Sequence, residues 1–149
     1  MSFKPEGSGT YKRHILVVDN NIVNLRLASL ILQRRLNCTT SGFSNGSGAL
    51  TYLADQRNPR PHLIFIKTYF LGSTPDGHEV ARIIRTQPPF IQDQILQSTA
   101  IIGMITGMEP IQNSTYINDL LRKPLKVGDL QWALRTWARR DRLVPRANI

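Results

Sequence analysis

A disulfide framework is excluded at the outset: Cys38 is the only cysteine among 149 residues, and one thiol cannot form an intrachain bridge. Such scarcity suits a reducing, cytoplasmic setting. No apolar run reaches the length that spans a bilayer, and residues 1–10 lack the apolar core of a signal peptide, so membrane insertion is not expected. Acidic residues are few, ten against 19 Lys and Arg, for a formal net charge of +9. Eight of those bases but only two of the acids fall in the last 28 residues. That asymmetry suits either an acidic partner such as a nucleic acid or a solvated helix with a basic tail. Aromatics do not interleave with the bases there as they do on a nucleic-acid platform, so nucleic acid is the less favoured partner.

Metal-ligand spacing is missing as well. His14, His62 and His78 are scattered and form no ligand pattern with Cys38. The Gly/Ser-rich stretches Ser41-Gly42 and Asn45-Gly46-Ser47-Gly48 lack the lysine of a phosphate-binding loop and read as a loop before a helix. Asp76-Gly77 reads as a turn. Cys38 is most simply a small buried apolar group.

What is present is an alternation of short apolar runs with helical patterns. Strands are expected over residues 14–19, 38–43, 62–67, 99–105 and 116–121, each short, and most of them β-branched. Helical periodicity covers 21–36, with Asn20 or Asn21 as N-cap, then 47–56, 79–86 and 129–140. Pro88-Pro89 ends the third of these. On the last, Trp132 and Trp137 need not share a face, which suggests one core residue and one exposed contact. Residues 1–12 read as a disordered leader, 13–141 as one domain large enough to bury a core unaided, and 142–149 as a basic tail. Five strands alternating with helices argue for an α/β fold, a parallel sheet covered on both faces. In such sheets chemistry gathers at the carboxyl ends of the strands, where Asp19, Lys67, Ile105-Thr106 and Lys123 fall.

The segment Ile15-Leu16-Val17-Val18-Asp19-Asn20-Asn21-Ile22-Val23-Asn24 resembles the ILVVDDNxVN opening of response-regulator receiver domains of the hybrid sensor kinase type. Asp76-Gly77-His78-Glu79-Val80-Ala81-Arg82-Ile83-Ile84-Arg85 resembles that family's DGxEAxRxIR helix, and Leu121-Arg122-Lys123-Pro124-Leu125 its Lys-Pro motif. The resemblance covers roughly residues 14–140, with the blocks in the right order. It implies a flavodoxin-like (βα)5 doubly wound fold with a five-stranded parallel sheet. The interval from Ile105 to Lys123 is several residues short for the family and contains Gly107, Pro110, Asn113 and Ser114, so its fourth helix is expected to be shortened or irregular.

Receivers transfer a phosphoryl group from a histidine donor to an aspartate at the end of the third strand, with Mg²⁺ held by that aspartate and two acids after the first strand. Carried over position by position, this chain keeps Asp19 but has Asn20 in place of the second acid, and Lys67 stands where the acceptor belongs. Ile105 aligns with the Ser/Thr switch position, with Thr106 next to it, and Leu120 with the aromatic switch. Lys123 is retained, and the resemblance places a cis bond before Pro124. A lysine amine cannot form an acyl phosphate, and one carboxylate beside two ammonium groups is a poor Mg²⁺ site. Two geometries suit Lys67: an internal pair with Asp19, or an outward side chain that leaves Asp19 to Lys123.

The expectation is therefore a degenerate pocket of Asp19, Asn20, Lys67, Ile105, Thr106 and Lys123 in a pseudo-receiver, not an enzyme and without cofactor. It would act on a protein partner (a sensor kinase, phosphotransfer protein or output domain) or as a homodimer. The alternatives are a phosphorelay receiver with another acceptor, Asp19 being nearest, and a nucleic-acid-associated regulator using the basic tail.

Overall fold

The computed structural model describes residues 12–70, 72, 75–107, 109 and 114–138. Its strands β1 (His14–Val18), β2 (Thr39–Phe43), β3 (Leu63–Lys67), β4 (Ala100–Ile105) and β5 (Asp119–Arg122) form one parallel sheet in the order β2-β1-β3-β4-β5. Helices α1 (Ile22–Arg34), α2 (Gly46–Ala54), α3 (Gly77–Thr86), α4 (Gln94–Gln97) and α5 (Val127–Trp137) cover it. The three central strands are apolar almost throughout because both sheet faces are covered. Alternate side chains supply two cores. Ile15, Val17, Phe65 and Ile102 pack with α1 and α5, while Leu16, Val18, Ile64 and Ile101 pack with α2 and α3.

The helix starts are written locally. The side-chain oxygens of Asn21, Asn45 and Asp76 accept the backbone N–H of Asn24, Gly48 and Glu79 at 3.0, 2.7 and 3.1 Å, which satisfies amides that a first turn leaves unpaired. Buried Cys38 and the two tryptophans also follow expectation. Trp132 is 47 % exposed, whereas Trp137 is partly buried and donates its Nε1–H to Asp119 Oδ2 at 3.1 Å. Among the described residues no helix is long and apolar enough to cross a membrane. Of the expected leader only Lys12 is described, and the tail 142–149 lies outside the described residues.

One segment differs from the periodic reading, and a second follows the expectation of a shortened or irregular fourth helix. A 3-10 turn (Phe90–Gln92) and α4 occupy a stretch where periodicity marked no element. They are too short for a periodic signal and are held by tertiary contacts. Arg60 bonds Asp93 Oδ2 at 2.7 Å, and the Arg85 guanidinium takes the carbonyls of Leu96, Gln97 and Thr99. The second is the connection from β4 to β5, in which no described residue is helical; residues 108 and 110–113 of it lie outside the description. Arg122 Nη1 donates to the carbonyls of Thr106 and Gly107 at 3.1 and 3.0 Å. These are carbonyls that a helix starting there would use for its own bonds.

Candidate functional site

The register sets Val18 beside Ile66, Lys67 beside Met104 and Ile105 beside Arg122, so Asp19, Lys67 and Lys123 leave the sheet at one end. Asp19 is 1 % exposed. Its backbone N–H bonds Phe43 O at 3.0 Å, one carboxylate oxygen accepts the Asn21 N–H at 2.9 Å, and the other is ion-paired with Lys123 Nζ. The Lys123 N–H bonds Ile105 O at 2.8 Å, which aims the side chain across the strand ends, and the Lys123–Pro124 peptide is cis, as the resemblance implied. Lys67 does not share Asp19: its ammonium donates to Asn20 Oδ1 at 3.1 Å. Of the two geometries open to Lys67, the structure takes the one that leaves Asp19 to Lys123, and it adds the amide oxygen of Asn20 as the partner.

Glu109 completes the cluster, and the strand pattern does not reveal it. Its Oε2 accepts from Thr68 Oγ1 at 2.8 Å, and its Oε1 accepts the Thr106 N–H at 3.3 Å. Among the described residues the site therefore holds two carboxylates and two ammonium groups, not the one acid and two bases that the strand ends suggest. Glu109 lies three residues past Thr106 in a turn closed by its own N–H to Thr106 O at 3.3 Å. Only that i to i+3 spacing signals it in the sequence.

Ile105 is the last residue of β4 and is buried, and Thr106 is exposed just beyond it. Leu120, half-buried on β5, lies against Gly103: a Cβ at Gly103 would meet Leu120 Cδ2 and Thr68 Cγ2, each at 2.7 Å. The polar cluster borders a cleft of about 320 Å³ between α1 and the ends of β4 and β5, lined by Leu27, Ala28, Ile31, Met104, Thr106 and Leu125 among others.

At the opposite end of the sheet, two histidines scattered in sequence meet. The His14 N–H donates to His62 Nδ1 and the His62 N–H to His14 O, both at 2.7 Å. The His14 ring lies 2.7 Å from Thr39 Oγ1 and 3.0 Å from both Ser41 Oγ and Tyr52 Oη. Burial lowers its pKa from the usual value of 6.5.

A five-stranded parallel sheet in this order, with its polar cluster beyond the carboxyl ends, defines a flavodoxin-like doubly wound protein. No protein-family model matches the sequence, and no curated protein matches it. Solved structures do. The receiver domain of a sensor histidine kinase from Pseudomonas aeruginosa, solved with a magnesium ion coordinated in its active-site cleft, is 24 % identical, with a TM-score of 0.68 over 86 % of this chain and 98 % of its own. A CheY-like response regulator receiver domain protein from Methanospirillum hungatei is 14 % identical, with a TM-score of 0.67 over 85 % and 93 %. The receiver domain of NtrX from Brucella abortus is 20 % identical, with a TM-score of 0.64 over 83 % and 97 %. Likeness at such identities is likeness of fold. The chain has the fold of the receiver domains of two-component signalling.

Proposed function

We propose that this domain is a pseudo-receiver that signals through protein contact, without phosphorylation, without Mg²⁺ and without enzymatic activity, in the cytoplasm. One observation carries the reading. Lys67 ends β3 where an acceptor carboxylate would stand, and its ammonium is bonded to Asn20. An amine cannot give the acyl phosphate of an aspartate. Asp19, the alternative acceptor, is buried and ion-paired with Lys123, which argues against its use as a nucleophile.

The donor set argues against Mg²⁺, which requires several free oxygen ligands. Asp19 is engaged by Lys123 and Asn21, Asn20 Oδ1 by Lys67, and Glu109 by Thr68 and Thr106. Among the described residues no group of three His, Cys, Asp or Glu side chains is placed to hold a metal ion. Protein contact is supported by α1, where Ile22, Val23 and Leu27 are 54 %, 73 % and 53 % exposed beside the apolar cleft. The partner class we assign is a sensor kinase, a phosphotransfer protein, an output domain or a second copy of the chain.

The test is intact-mass analysis after incubation with acetyl phosphate and Mg²⁺. The wild type should take no label, while Lys67→Asp combined with Asn20→Asp, which restores acceptor and second acid, is the variant expected to take it. A Mg²⁺-dependent phosphoryl adduct on the wild-type chain would sink the proposal.

A further inference from the structure

We propose that Glu109 is an internal anion occupying an oxyanion cradle at the strand ends, formed by the Thr106 N–H and the Thr68 hydroxyl, and that a small tetrahedral oxyanion competes with it for that cradle. The inference rests on the reading of this pocket as one without acyl-phosphate chemistry, and it adds what fills the pocket instead.

The cradle is built rather than incidental. Thr68 is 0 % exposed, and its backbone is pinned on two sides. Its N–H donates to Met104 O at 3.1 Å, and its carbonyl accepts the Gly77 N–H at 3.0 Å. Any side chain at Gly77 would prevent this approach, because a Cβ there would lie 2.1 Å from Lys67 O and 2.7 Å from Thr68 Cα. The Thr68 methyl fills the space left by the missing side chain of Gly103. With the methyl seated there, the hydroxyl is left to donate to Glu109 Oε2 at 2.8 Å.

The second donor belongs to an exposed residue and is held through its backbone. Thr106 follows the last residue of β4, and its carbonyl is held by Arg122 Nη1 and by the Glu109 N–H. Its own N–H thereby faces Glu109 Oε1 at 3.3 Å. A carboxylate satisfies both donors at once, since it only accepts. Hydroxyl and amide donors fixed in place also suit phosphate or sulfate, whose oxygens only accept at those positions. Lys67 and Lys123, leaving the neighbouring strand ends, favour negative charge in this quarter of the molecule. Glu109 thus ties the β4–β5 connection to the end of β3, and an oxyanion entering the cradle would release that tie.

The experiment follows the backbone amides of Thr106 and Thr68 by NMR while inorganic phosphate is titrated at constant ionic strength, without Mg²⁺. In the wild type, phosphate should leave both amides nearly unmoved. In Glu109→Ala both should shift saturably, with an apparent affinity roughly tenfold or more above the wild type, and adding Thr68→Val should remove most of that gain. The isosteric Glu109→Gln should by itself move the Thr106 amide in phosphate-free buffer, a readout that survives if the alanine variant folds poorly. Equal phosphate responses in wild type and Glu109→Ala, or an unmoved Thr106 amide in Glu109→Gln, would overturn the inference. These readouts are non-covalent and leave the mass unchanged. A labelled wild type therefore defeats the pseudo-receiver reading alone, and indifference to Glu109 defeats this one alone.

Discussion

Removing the Lys123 ammonium is the sharpest test of how the pocket is held together. The Asp19 side chain is 2 % exposed and that of Lys123 12 %. In Lys123→Met the apolar stem keeps most of its packing, but the carboxylate is left buried with the Asn21 N–H as its donor. Breaking a buried pair from one side costs about 3–5 kcal/mol, and the retained N–H argues for the lower figure, about 3 kcal/mol. For a domain of this size that is a fall in Tm of roughly 10 °C. Asp19→Asn leaves an ammonium that is slightly exposed and retains an amide partner, so its loss should be smaller, about 1–2 kcal/mol. The double variant Asp19→Asn, Lys123→Met removes both charges and should cost about 2 kcal/mol or less, well short of the sum of the single losses. Urea unfolding of all four proteins, with coincident fluorescence and circular-dichroism transitions, measures the cycle. A loss below about 1 kcal/mol in Lys123→Met, or losses that simply add, would refute the account of a desolvated pair.

Three further outcomes are expected. His14 has its pKa lowered by burial from 6.5, so the folded chain binds fewer protons than the unfolded one. Stability from this group is complete above the unfolded value, declines as pH falls through about 6.5, and levels once the folded histidine also protonates; His14→Gln should lessen that decline in urea midpoints taken between about pH 7 and 6, and an unchanged slope would count against it. Burial pushes the Cys38 thiol up to about 11, against a weaker opposing pull from Arg13 and Lys12, so alkylation by iodoacetamide at about pH 8 should be slow in the native protein and fast in denaturant. Gly77→Ala should cost about 3 kcal/mol or abolish folding, since its Cβ meets backbone atoms at 2.1 and 2.7 Å, whereas Gly128→Ala in α5, with open space around its Cβ, should gain up to about 0.5 kcal/mol; thermal melts compare the two.

The strands, helix starts and winding of this protein were legible in sequence because they rest on local rules. Apolar runs of five or six residues, period-3.6 stripes and Asn caps act over a few neighbours, so Asn21 could be read as a start and Lys67 as a charge ending a buried strand, whereas Asp76, read as a turn, proved to cap α3. Sequence by itself also determined that β3 ends in an amine, which decides what chemistry that position cannot perform. Only the tertiary structure decided where that amine goes and what balances it. Lys67 meets Asn20 across 47 residues, Asp19 meets Lys123 across 104, and Thr68 meets Glu109 across 41. No periodicity spans those separations, and a hydrogen bond tolerates only a few tenths of an ångström, so the partners emerge only once the sheet register and the β4–β5 turn are set. The pairing of His14 with His62 was hidden for the same reason, and the short helix α4, though Asp93 caps it locally by accepting the Leu96 N–H at 3.1 Å, is too short at four residues to leave a periodic stripe.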